Sequence, residues 1–245
     1  MTLEVINNSP SRFHLSLNNV NLEGDSLEFT LGNFTVLCGS SEILSLSMLL
    51  CVKAQLPYQL GGLKTNVIFV DGGNTFRLYE ISYIAQLHEL NPRKVLERIF
   101  VSRAFTAYQM TTLVFEKLQA AIDNLGSKLV IISDIGQLYS DKDLPQREAI
   151  DVFNQLTAYL SKFARENHVI ILATHLSSCS SKRSLLLETV SCGHANVVLM
   201  VKTPKITRTH RIDNHLFFEK HSLFSLESKF FPHIPKIILT ECMEA

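Results

Sequence analysis

Four short, nearly unbroken apolar runs govern what this chain can become: Phe34-Thr-Val-Leu-Cys-Gly39, Val67-Ile-Phe-Val-Asp71, Leu129-Val-Ile-Ile132 and Val169-Ile-Ile-Leu-Ala173. Each is rich in branched aliphatic residues and too short for a core helix, which is the pattern of a strand covered on both faces. Helical segments separate them. An apolar helix spans Ile43 to Val52, and a second runs from Glu80 to Leu90 and ends before Pro92. A third, Thr111 to Leu125, carries Val114, Leu118, Ala121, Ile122 and Leu125 at helical spacing, with Gly126 as its C-cap. The longest, Glu148 to Asn167, repeats Ile150, Phe153, Leu156, Leu160 and Phe163. Strands alternating with helices predict an α/β fold, a mostly parallel sheet flanked by helices. Further strands are expected at Ile99–Ser102, Asn196–Val201 and His215–Glu219, with antiparallel pairing toward the C-terminus and a closing edge strand in 235–239. Residues 1–245 read as a single domain, because no linker or internal repeat interrupts them.

Bulk properties narrow the function. Hydrophobic residues make up 46% and charged residues 19%, with a net charge of zero, so no global basic field steers the chain onto nucleic acid. Any such contact must be local. The five cysteines (38, 51, 179, 192 and 242) form no C-x-x-C pair and read as reduced thiols, with no metal site. Residues 1–10 lack the apolar stretch of a signal peptide. The longest apolar run is about half the ~20 residues that a membrane span needs. The chain reads as soluble and intracellular, without membrane association.

The turn after the first run carries the sharpest chemical signal. A strand, a glycine and a helix form the setting of G-x-x-x-x-G-K-[ST], in which lysine and hydroxyl grip phosphate and Mg²⁺. Counted from Gly39, the second glycine falls on Leu44, the lysine on Ser45 and the hydroxyl on Leu46. All three groups are missing. Charge-assisted phosphate contacts contribute about 1.5–3 kcal/mol each, so ATP and Mg²⁺ binding is expected to be lost or very weak. Ser40 or Ser41 is expected to cap the helix, with Glu42 favourable in its first turn.

Two blocks then resemble a known family. Gln55-Leu-Pro-Tyr-Gln-Leu-Gly-Gly-Leu-Lys-Thr-Asn-Val-Ile-Phe-Val-Asp-Gly-Gly-Asn-Thr-Phe-Arg77 and Asn91-Pro-Arg-Lys-Val-Leu-Glu-Arg-Ile-Phe-Val-Ser-Arg-Ala-Phe105 resemble the ATPase core of the RecA/RadA recombinases, in the archaeal and eukaryotic branch. The resemblance covers roughly residues 30 to 200 and implies a RecA-like core fold. In the family a glutamate two residues after the strand-terminal aspartate polarises the attacking water; here that position is Gly73. The segment that usually reads T-N-Q is Thr174-His175-Leu176, and Asp134 alone remains of the metal shell. Gly39, Leu44, Ser45, Leu46, Gly73 and Asp134 thus outline a vestigial nucleotide pocket, and no catalytic residue is assigned. His175 reads as structural. The resemblance also implies that the family's N-terminal helical DNA-binding domain is absent, and no Phe-x-x-Ala polymerisation tether is visible.

Taken together, these residues imply a non-catalytic recombinase paralogue that assists homologous recombination and DNA repair. It would join a recombinase filament or a second RecA-family paralogue as a hetero-oligomer, in the nucleus of a eukaryote or the cytoplasm and nucleoid otherwise. Single-stranded DNA is a further expected partner. Residues 177–193 occupy the position of the family's second DNA-binding loop, and Ser178, Ser181, Lys182 and Arg183 there either contact phosphates or belong to an ordinary solvated loop. Lys202, Lys205, Arg208 and Arg211 form a run without an acid, suited to a phosphate backbone or to a solvated hairpin. Two alternatives stand beside this reading. One is a subunit of a composite ATPase, with Arg77 or the 202–211 basic residues acting in trans. The other is a scaffold that touches only protein.

Overall fold

The computed structural model describes residues 14–16, 28–176, 181–202, 215–219, 223–227 and 238–241. Strands β1 (His14–Ser16) and β2 (Glu28–Thr30) form a small antiparallel pair. Thereafter strand and helix alternate: β3 (Phe34–Gly39), α1 (Glu42–Lys53), β4 (Val67–Asp71), α2 (Leu78–Leu87), α3 (Pro92–Leu96) and β5 (Ile99–Arg103). Next come α4 (Ala107–Thr112), a π-helical turn (Leu113–Lys117), α5 (Leu118–Leu125), β6 (Leu129–Ser133), α6 (Gln146–Asn167) and β7 (Ile170–Leu176). Helix α7 (Lys182–His194) leads into β8 (Val197–Lys202), β9 (His215–Glu219), β10 (Leu223–Glu227) and β11 (Ile238–Glu241).

Nine strands share one sheet in the order β10-β9-β11-β8-β3-β7-β6-β4-β5. From β8 to β5 all neighbours run parallel, six strands in all. Period-two alternation sends successive side chains to opposite faces. Leu37, Phe69, Ile131 and Leu172 meet α1, α2 and α3 on one side. Val36, Val70, Ile132 and Ala173 meet α4, α5, α6 and α7 on the other. The four runs lack polar alternation because both faces are covered. The family resemblance and this architecture agree on a RecA-like α/β core.

Several boundaries differ from the sequence reading. Pro92 opens α3 rather than only ending a helix: the Asn91 side chain accepts from the Arg93 and Lys94 amides, and proline suits the first helical position. Helix α4 begins at Ala107, capped by Thr106, whose side chain accepts from Gln109 N. Gly126 caps α5 in the left-handed region, as expected (φ 59°). Ser41 precedes α1 without a capping hydrogen bond, so the expected cap is absent there. The segment read as a loop through residue 193 is mostly α7: Ser181 accepts from Ser184 N at 3.1 Å and starts the helix. Strand β11 lies inside the sheet, between β8 and β9, not at its edge.

Phe153, on the buried face of α6, is fully enclosed, its ring 5.0 Å from that of Tyr139. Phe153→Ala should cost about 3–5 kcal/mol through lost transfer energy and the cavity left behind, measured by chemical denaturation.

Candidate functional site

The carboxyl ends of β3, β4, β6 and β7 meet along one edge, the usual ligand position in a parallel sheet. Gly39 is in register with Leu176, and Asp71 with Ser133 and Arg103. Asp71 has no solvent exposure. Its Oδ1 accepts from Thr75 N at 2.8 Å and Ser133 Oγ at 3.0 Å. Its Oδ2 accepts from Arg103 Nη2 at 3.1 Å and Phe76 N at 3.4 Å. This carboxylate is spent on structure, fixing the turn 72–76 to β6 and β5.

Gly73 lies in that turn, against Asp134. A Cβ added there would stand 2.8 Å from Asp134 Cβ and 3.0 Å from Thr75 Cγ2. No side chain enters without displacing its neighbours. Asp134 follows β6 in the left-handed region (φ 46°). Its amide donates to Thr174 Oγ1 at 2.8 Å, and its Oδ1 accepts from Leu176 N at 3.3 Å. Burial pushes the Asp134 carboxyl up to about 6, although the Leu176 amide opposes the shift.

The turn at Gly39 is short. The glycine has φ 146°, and only Ser40 and Ser41 separate β3 from α1. The Ile43 amide donates to Ser40 O at 3.2 Å and the Leu44 amide to Ser41 O at 3.1 Å. Amides that an open loop would turn toward an anion therefore close tight turns. Leu44 and Leu46 lie within α1 and are buried in the core. At the lysine's place, Ser45 Oγ accepts from Arg77 Nη1 at 3.3 Å, and Arg77 also pairs with Glu80 at 3.2 Å. Glu42 enters the first turn of α1 with Oε2 enclosed and unpartnered.

His175, in β7, is buried, its ring filling the space beside Gly136. Neither ring nitrogen has a hydrogen-bond partner, and Glu188 Oε2 lies 4.0 Å from Nε2. Burial lowers its pKa against a smaller opposing effect of the Ser184 backbone, keeping it neutral near pH 7. Among the described residues, no group of three or more His, Cys, Asp and Glu side chains is placed to hold a metal ion.

Gly39, Gly73 and Asp134 lie at this edge, whereas Leu44 and Leu46 are buried in the α1 core layer and Ser45 meets Arg77. The DNA-facing candidates do not gather in the same way. Ser181 caps α7, and Lys182 is exposed in its first turn. Arg183 donates from Nη1 to Leu144 O at 2.9 Å, with Nε and Nη2 enclosed; it fastens α7 to the loop before α6. Lys202 ends β8. Ser178, Lys205, Arg208 and Arg211 lie outside the described residues. The roles of Asp71 and Arg103 escaped the sequence reading, although the register of β4 with β5 pairs them directly.

The model of the Rad51 family matches residues 18–186. The chain belongs to the Rad51 family. Among curated relatives, it is 28% identical over 134 residues to the DNA repair and recombination protein RadA of Cenarchaeum symbiosum, covering 54% of this chain and 33% of that one. It is 28% identical over 143 residues to the meiotic recombination protein DMC1 of Saccharomyces cerevisiae, covering 56% and 41%. RadA of Aeropyrum pernix is 31% identical over 107 residues, covering 44% and 33%. The Rad51-family chain thus spans a third to two-fifths of the length of these relatives. Among its described residues, no helix is long and apolar enough to cross a membrane.

Asp134 makes a pH prediction for this Rad51-family core. A carboxyl whose folded pKa is raised binds its proton more tightly when folded. Its burial costs nothing below about pH 4, and the cost grows until about pH 6, where it reaches about 2–3 kcal/mol. Asp134→Asn keeps an acceptor for the Leu176 amide and tolerates the left-handed backbone. It should be more stable than the parent at pH 7.5 and nearly equal at pH 4 in paired denaturant titrations; an equal offset at both pH values would refute the assignment.

Proposed function

We propose that this chain is a non-catalytic Rad51-family paralogue that assists recombination and DNA repair, assembling with a recombinase or a second paralogue and contacting single-stranded DNA. The observation that carries the reading is the closed turn between β3 and α1. With two residues between strand and helix, the backbone has no concave loop in which to seat a triphosphate. Leu44 and Leu46 face the core, and Glu42 brings negative charge to the helix end that would attract an anion. Hydrolysis also needs a positioned water, and the crowding at Gly73 leaves no place for the glutamate that would hold it. ATP and Mg²⁺ are accordingly not cofactors in this reading.

Assembly has a surface to work with. Strand β5 ends the sheet and exposes Phe100. Tyr79, Phe105 and Tyr108, on or beside α2 and α4, are 88%, 71% and 60% exposed. Large aromatics concentrated near a sheet edge suit a protein partner that adds to that edge. The rival reading, a cation donated in trans, draws little support from Arg77, which Ser45 and Glu80 of its own chain engage.

Single-stranded oligonucleotide should bind with a salt-dependent affinity that ATP and Mg²⁺ leave unchanged, as measured by anisotropy across a salt series. ATP-dependent binding, or steady ATP turnover by the isolated chain, would overturn the pseudo-ATPase reading; absence of binding would favour the protein-only scaffold. Phe105→Glu with Tyr108→Glu should weaken association with the same organism's recombinase at least tenfold in titration calorimetry while leaving the melting temperature within a few degrees.

A further inference from the structure

On the α7 side of the sheet, two thiols and a carboxylate meet away from the pocket. Cys38, the last residue but one of β3, is fully buried. Its Sγ lies 3.7 Å from Sγ of Cys192 on α7, 154 positions along the chain. Both are free thiols, and Cys192 is half-buried, so small solutes can reach it. Glu188 stands one turn earlier on α7 and lies near Cys38. The contact with Cys192, burial and the nearby Glu188 all raise the Cys38 pKa, whereas the contact with Cys38 lowers that of Cys192 against the opposing effects of burial and Glu188. Cys38 is sealed in the core and Cys192 is the accessible member of the pair, so Cys192 is the sulfur that meets an oxidant.

We propose that Cys38 and Cys192 form a reversible disulfide that fastens α7 to the end of β3 when the protein meets hydrogen peroxide. The Cys192 thiolate attacks one peroxide oxygen, the O–O bond breaks, and the departing hydroxide takes up a proton to become water. Cys192 is now a sulfenic acid. Cys38 Sγ attacks that sulfur, the S–O bond breaks, and the second hydroxide leaves with the Cys38 proton as water. Two thiols lose two electrons and two protons, and one peroxide becomes two waters.

The geometry favours this pair. The sulfurs must close from 3.7 Å to about 2.05 Å, a distance that side-chain rotation and a small shift of the helix end supply. Cys51 is buried with the opposite core layer, across the sheet from Cys38, and cannot compete. The bond would close a long loop and hold α7 against the strand that leads into Gly39. In a reducing compartment it would be transient, as regulatory disulfides are.

Treatment of the full chain with near-stoichiometric peroxide, thiol blocking and non-reducing digestion should yield a peptide pair joining 38 to 192 by mass spectrometry. Dithiothreitol should release it. The oxidised protein should melt roughly 5–15 °C higher than the reduced one. Cys192→Ser should abolish both the linked peptide and the shift, and Cys51→Ser should keep them. Because Cys38→Ser alters a core position, the half-buried Cys192 variant is the decisive one. Full alkylation of both thiols after peroxide would overturn the proposal, as would Cys192 recovered as sulfinic acid or joined to Cys179 with Cys38 still reduced.

Discussion

The buried carboxylate of Asp71 organises the carboxyl edge of the sheet. An ion out of contact with water costs several kcal/mol unless partners replace its hydration. Asp71 finds those partners in three places: its own turn through Thr75 and Phe76, β6 through Ser133, and β5 through Arg103. That arrangement carries Gly73 onto Asp134. Asp134 in turn is tied to β7 through Thr174 and Leu176, which is in register with Gly39. Five strand ends, those of β3, β4, β5, β6 and β7, are therefore linked at this edge.

The β3–α1 turn is the second organising fact. Its amides at positions 43 and 44 are committed to Ser40 and Ser41, and α1 begins at Glu42. Burial of Leu44 and Leu46 with the α1 core layer stabilises the helix in this early start, because each buried leucine contributes about 1.5–3 kcal/mol. A phosphate-cradling loop at the same place would have to unwind that turn and expose those leucines. The residue types and the backbone path belong together: Leu44 and Leu46 hold the helix down on the core.

Much of the fold was legible because burial on both faces leaves a plain signature. Val67–Asp71 and Leu129–Ile132 could be read as strands from apolar continuity alone, and α6 from the spacing of Phe153, Leu156, Leu160 and Phe163. Helix α7 was harder. Its serines and the adjacent Leu185-Leu-Leu187 obscure the helical period, and it exposes Leu185 and Leu186 while burying Leu187. Helix α3 was hidden by Pro92, which reads as a stop until Asn91 is seen capping the turn it opens. The place of β11 between β8 and β9 has no local signal, since strand order depends on pairings across long stretches of chain.

The sequence by itself determined the class of fold, the family blocks at 55–77 and 91–105, and the residue types at positions 44, 45, 46 and 73. These are matters of residue type and local period, and each can be read within a few turns of chain. Only the tertiary structure decided that Arg77 reaches Ser45, that Asp134 closes the space at Gly73, that Arg183 turns inward to Leu144, and that Cys38 meets Cys192. Those contacts join residues 32 to 154 positions apart, and no period or propensity encodes which distant side chains the packed sheet brings face to face.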